Sequence, residues 1–194
     1  SSGIRLLSQK NKNIKTLLLD DSKYKPKNID ILKRSLIQKT CKLEILSMKF
    51  NTINITSAHY IEKALKFNRS LLYLNLSSCG ISDLSGSKII SAMDVNKNLT
   101  ELDLSNNKLS EIFCQKFSGI LRINNTLVKV NLTKNYYMFD GHFQKVVESL
   151  VENQCILCLG NLEETKIGVK LRESVEFILN LITSSGPWLQ YAIS

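Results

Sequence analysis

The sequence predicts an α/β solenoid, a horseshoe with parallel strands on the concave face and helices on the convex face. Two observations carry this. Leucine-rich segments start at Ile14, Leu43, Leu71, Leu99 and Leu127, at intervals of 29, 28, 28 and 28 residues. Between them the apolar period changes from two to about 3.6, as a strand followed by a returning helix requires.

Each strand segment fits L-x-x-L-x-L-x-x-N, with the last position held by Ser22, Asn51, Cys79, Asn107 and Asn135. Leucines at the fourth and sixth positions share one face of a short strand and point into the core. The ninth residue turns inward, where an amide satisfies backbone groups buried at the bend. In the helices, Leu32, Ile61, Ile89, Phe117 and Val146 form one core-facing ladder, and Leu36, Leu65, Met93, Leu121 and Leu150 a second. Both continue onto Val175 and Leu179, which predicts a sixth helix within residues 166–182. Its strand, residues 156–161, is degenerate, because Asn161 occupies the place of a buried leucine.

The repeat domain is therefore expected over residues 1–183. Residues 1–13 read as the end of a partial repeat, about six repeats run from residue 14, and 184–194 form a tail or cap with the single tryptophan, Trp188. The chain starts Ser1-Ser2-Gly3, which reads as a piece of a larger chain or complex. No run of eighteen apolar residues predicts a membrane span, and no signal-peptide pattern opens the chain.

The 28/29-residue period and its L-x-x-L-x-L-x-x-N strands resemble the ribonuclease-inhibitor subfamily of leucine-rich repeat proteins, over roughly residues 4–183. Ribonuclease inhibitor, Ran GTPase-activating proteins, tropomodulins and the repeat domains of NOD-like receptors belong to it. The resemblance implies the horseshoe and a non-catalytic scaffold or regulatory module that holds a protein on its concave face. It also implies two alternatives, an actin- or tubulin-associated cytoskeletal or ciliary component, and a GTPase activator of the Ran type. The expected location is cytoplasmic, cytoskeletal or ciliary.

On the concave face the expected partner-binding residues are Ile45, Lys49, Phe50, Leu72, Tyr73, Asn75, Glu101, Asp103, Lys129 and Asn131. Ile45, Phe50, Leu72 and Tyr73 read as one apolar centre with a polar surround, the usual composition of a protein-binding hot spot. The net charge of +9 lies mainly in residues 1–42, which carry 11 Lys/Arg against 3 Asp/Glu. Lys23, Lys25, Lys27, Lys33 and Arg34 form a candidate electrostatic patch. It reads either as a solvated convex surface or as a site for an acidic protein surface. With only Tyr24 as a stacking aromatic there, no specific nucleic-acid recognition is expected.

No cofactor or metal is expected. Cys155-x-x-Cys158 lacks a second cysteine pair, and His59 and His142 lie on other repeats. Phosphate loops, nucleophile elbows and paired carboxylates are missing from the sequence. The five arginines fall on helices or in loops that precede strands. Five cysteines, an odd number, mostly at positions needing a small buried residue, argue for a reducing compartment. Six glycosylation sequons, at Asn54, Asn68, Asn75, Asn98, Asn124 and Asn131, read as chance in a chain with 18 asparagines.

Overall fold

A computed structural model describes residues 13–153 and 155–185. The partial repeat expected at 1–13 lies almost wholly outside the described residues, and so do Trp188 and the tail from 186. The strands β1 (Thr16–Leu18), β2 (Ile45–Ser47), β3 (Tyr73–Asn75), β4 (Glu101–Asp103) and β5 (Lys129–Asn131) form one parallel sheet in sequence order. The register pairs equivalent positions, with Leu17 beside Leu46, then Leu74, Leu102 and Val130. Between the strands return α1 (Pro26–Leu36), α2 (Ile55–Phe67), α3 (Asp83–Ser91), α4 (Glu111–Leu121) and α5 (Asp140–Glu152), with α6 (Val169–Ser185) closing the described chain. Neighbouring helices pack on one another, as the nearest-neighbour logic of a solenoid demands. No described helix is long and apolar enough to cross a membrane.

Both expected helix ladders are buried from Leu32 to Val146 and from Leu36 to Leu150, and Val175 continues the first at 3% exposure. Leu179 is only half-buried, since nothing described stacks beyond it.

The bends are held by asparagines. Asn51, Asn107 and Asn135 each donate from Nδ2 to one carbonyl of the repeat before and to one or two of their own. Asn107 reaches the Leu76 carbonyl of the repeat before and the Leu104 carbonyl of its own, both at 3.0 Å, and Ser105 at 3.1 Å. Its Oδ1 accepts from the Cys79 and Ile81 amides of that previous repeat. Cys79 replaces the amide with a thiol that donates to the Met48 carbonyl at 3.2 Å. Ser22 does not join this ladder. It is exposed and bonds the nearby Asp20 carbonyl.

A second ladder, unanticipated in the sequence, stands at the opposite bend, where each helix ends and the next strand begins. Asn68, Asn96, Asn124 and Asn153 are 0–5% exposed. Each donates from Nδ2 to a carbonyl where the helical segment of the previous repeat ends: Leu36, Leu65, Met93 and Leu121. Each Oδ1 also accepts from the backbone amides two and three residues ahead, as Asn96 does from Asn98 at 2.9 Å and Leu99 at 2.8 Å. The sequons at Asn68 and Asn124 therefore lie in the core, where a glycan has no room.

Two local features differ from the sequence expectation. The sixth strand does not form: residues 156–161 contribute a single bridge, Cys158 to Lys129, and Asn161 is exposed and caps a short 3-10 turn, Leu162–Glu164. The chain leaves the sheet at Gly160, whose φ is +80° and where a Cβ would collide with Asn131 and Thr133. The eighth position of each repeat is left-handed, at Asp21, Phe50, Ser78, Asn106 and Lys134 (φ +46° to +60°), so it belongs to the turn rather than to the strand face. A further link between repeats comes from Asp83 at the start of α3, which accepts from the Ser110, Ile112 and Phe113 amides and so caps the first turn of the next helix.

Two measurements test this frame. Asn96→Ala strands buried backbone groups in two repeats at once, so urea unfolding should show a loss of roughly 3 kcal/mol, against under about 0.5 kcal/mol for Asn125→Ala at an exposed loop position. Burial pushes the thiol of Cys79 up to about 11 and that of Cys114 up to about 12, so both stay protonated near neutral pH. A thiol reagent applied to the native protein at mildly alkaline pH should consume the exposed Cys158 first, and reach Cys79 and Cys114 only on unfolding.

Candidate functional site

The concave surface is built in rows, because equivalent residues of successive strands stand side by side. The row through the third position runs Thr16, Ile45, Tyr73, Glu101, Lys129, and the row through the fifth runs Leu18, Ser47, Asn75, Asp103, Asn131. Parallel pairing fixes this order, so the apolar-to-charged gradient along the first row follows directly from the repeat.

Most polar groups on this face are partnered among themselves. The Ser47 hydroxyl donates to Asp20 at 2.6 Å, and the Lys49 amide donates to the same carboxylate oxygen. Asn131 donates to Asp103 at 3.2 Å, while the Asn75, Asp103 and Asn131 side chains each accept the backbone amide two residues on. Lys15 pairs with Glu44, Lys49 with Asp20 and Lys129 with Glu101. The Tyr73 hydroxyl accepts from Asn75 at 3.1 Å. Burial first, then the charges of Asp103, Glu101 and Asp20, raises its pKa above the ordinary phenol value.

The apolar residues divide. Ile45 and Tyr73 are register neighbours, and Leu72, 43% exposed, directly precedes Tyr73. Leu18, at 66% exposure, adds an apolar group on β1. Phe50 is 57% exposed, but it lies five residues beyond Ile45, in the left-handed turn at the far end of β2. At about 3.3 Å per residue along an extended chain the separation is at most roughly 16 Å. The structure therefore brings together Ile45, Leu72 and Tyr73 and does not bring Phe50 to them.

Sequence reasoning passed over a second aromatic feature. Tyr136, Tyr137 and Phe139 are 43–54% exposed in the loop before α5, where the repeat is one residue longer than the three before it. Phe139 meets the His142 ring edge-on at 5.6 Å and carries the Lys166 ammonium 5.2 Å over its face. The signal was available in the 29-residue step from Phe117 to Val146, directly after ladder residue Asn135.

The basic patch is partly consumed. Lys33 and Arg34 both bind Asp30, at 2.5 and 2.8 Å, and the Lys33 ammonium also sits 4.8 Å over the Tyr60 ring. The Lys33 hydrogen bond leads in holding the Asp30 carboxyl below its ordinary pKa, with burial opposing it and Arg34 assisting. Lys23, Lys25 and Lys27 remain exposed on the α1 approach. Cys155 donates to the Asn125 carbonyl and Cys158 accepts from the Gly160 amide. No group of three or more His, Cys, Asp or Glu suited to a metal occurs among the described residues. Arg34 and Arg122 are tied to carboxylates and Arg69 to backbone carbonyls, all away from the concave strands.

Comparison with known proteins agrees with this geometry. Two leucine-rich repeat family models match, over residues 67–89 and 98–120. No curated protein sequence matches. Among solved structures, the tropomodulin C-terminal domain of Caenorhabditis elegans aligns with a TM-score of 0.59 at 16% identity, covering 94% of this chain and 92% of that one. The actin-binding site 2 of leiomodin-1 aligns with a TM-score of 0.61 at 15% identity, covering 94% and 88%. At such identity the likeness is one of fold. The chain is a leucine-rich repeat protein, an α/β solenoid that resembles the repeat domain of tropomodulin.

Proposed function

We propose that this chain is a non-catalytic protein-binding module of the actin cytoskeleton, taking its partner on the concave face. The observation that carries the reading is the Ile45–Leu72–Tyr73 cluster, with Ile45 and Leu72 exposed and Tyr73 half-buried, on a sheet whose neighbouring charges already pair with one another. Burying such a cluster gains apolar free energy, whereas a partner that competes for Lys129 or Asp20 must first break an existing contact. Leu18 widens the cluster, and Lys49, Asn75, Glu101, Asp103, Lys129 and Asn131 form its polar surround. Actin enters through the fold neighbours, one of which is described as an actin-binding site. Exposed Lys23, Lys25 and Lys27 suit the approach of an acidic protein surface.

Co-sedimentation with filamentous actin tests this directly. The wild type should pellet with filaments, and Ile45→Asp combined with Tyr73→Ala should weaken binding about tenfold or more, the scale of a hot spot. Phe50→Asn should leave binding unchanged, because Asn suits the left-handed turn and Phe50 stands apart from the cluster. Wild-type protein that pellets no better with filaments than without them ends the actin reading; equal binding by the double variant ends the concave-face reading. If the lysines steer association, affinity falls steeply as salt rises from about 0.05 to 0.5 M.

A further inference from the structure

The rim where helices end and strands begin carries an exposed apolar row that the concave-face reading does not use. Phe67, Val95 and Ile123 are 64%, 51% and 56% exposed, and each stands immediately before a ladder asparagine, Asn68, Asn96 or Asn124. The buried amide fixes the loop and leaves the preceding side chain on its crest. Ile37 and Val151, 38% and 70% exposed, lie near its two ends but one position earlier in the repeat, where Gln38 and Glu152 hold the equivalent places. Three successive repeats thus present an apolar group at the same place along one edge.

Between these groups stand Lys39, Lys42, Arg69 and Lys97, all exposed. No carboxylate partners them among the described residues: Arg69 donates to the Lys66 and Asn68 carbonyls, and Lys97 reaches the Ile123 carbonyl at 3.4 Å. The acids on this rim are already engaged, Asp94 by Lys116 and Glu152 by Arg122. The edge therefore offers apolar crests with uncompensated positive charge between them.

We propose that this rim is a docking surface for an anionic lipid bilayer. A peptide helix needs a trough to receive its apolar stripe, whereas here the apolar groups stand singly on separate loops. A headgroup layer accommodates isolated crests: the side chains enter the acyl boundary while the cations lie among the phosphates. Neither contribution is strong alone, and their coincidence on one edge is what favours a membrane surface. Docked this way, the molecule keeps its concave face and its Tyr136–Tyr137 loop free, so the proposal stands independently of the actin reading.

Vesicle co-sedimentation of the full chain decides it. Binding to phosphatidylcholine vesicles containing about a third phosphatidylserine should exceed binding to pure phosphatidylcholine at least tenfold and fall with salt. Phe67→Ser with Ile123→Ser, and separately Arg69→Glu with Lys97→Glu, should each lose most of that binding while keeping the wild-type circular dichroism and melting temperature, since all four side chains are exposed. Ile45→Asp with Tyr73→Ala should bind vesicles as the wild type does. Equal binding to both vesicle types, or binding indifferent to both rim variants, overturns the proposal. So does a concentration-dependent dimer in solution that Phe67→Ser abolishes, because that outcome assigns the row to a second copy of the chain.

Discussion

A solenoid must bend its chain twice in every repeat, and each bend turns backbone amides and carbonyls away from water. In this protein the side-chain amide of asparagine meets that demand at both bends, with two donors and an acceptor in one plane. Asn107 ties the Leu104 carbonyl of its own repeat to the Leu76 carbonyl of the repeat before, and Asn96 does the same between the Leu65 helix end and the start of β4. Because every such residue bonds across a repeat boundary, the two ladders fix the spacing of repeats as well as the shape of each one. The register of the sheet and the alignment of the helix ladders follow from that spacing.

The two ladders were unequally legible. The first lies inside the L-x-x-L-x-L-x-x-N motif, where leucines on either side identify its place. Asn68, Asn96, Asn124 and Asn153 recur as regularly, but between a helix end and a strand start a polar residue reads as an ordinary loop, and two of the four also spell a glycosylation sequon. Seven of the 18 asparagines serve the ladders, and Asn54 and Asn161 cap helical turns, so much of the compositional bias is structural. Strand pairing, the helix ladders and the sixth helix were all readable as apolar period. The weakness of the sixth strand was readable in Asn161, but its reduction to a single bridge was not, because the chain turns at the left-handed backbone of Gly160, where a Cβ would collide with Asn131.

The candidate site was legible residue by residue, and less so as a surface. Counting positions places Phe50 on the concave face with Tyr73, since the eighth residue follows the strand in the chain. The backbone sends it into a turn instead, and this is a dihedral property that side-chain identity does not reveal: Phe, Ser, Lys, Asp and Asn all occupy that place. Likewise the charge count overstates what the patch can offer, because Lys33 and Arg34 share one carboxylate on their own helix. Local neutralisation of this kind is set by i,i+3 and i,i+4 spacing from Asp30, and it could have been found by laying α1 on a helical wheel.

Repeat geometry also explains how one small chain carries several surfaces without conflict. A residue's place in the period decides which side it faces: third and fifth positions line the sheet, the residue before each second-ladder asparagine lies on one rim, and the loop before each helix lies on the other. Since each repeat touches only its neighbours, changing an exposed residue on one side leaves the ladders that hold the others in place. Substitutions at Tyr73 and Phe67 should therefore act additively on stability, being on different faces with no shared hydrogen-bond partner, while substitutions at Asn68 and Asn96 should not, because Asn96 donates to the backbone carbonyl of residue 68 in the loop that the Asn68 amide holds. Surfaces can diverge separately in such a molecule, while each ladder constrains the bend it serves.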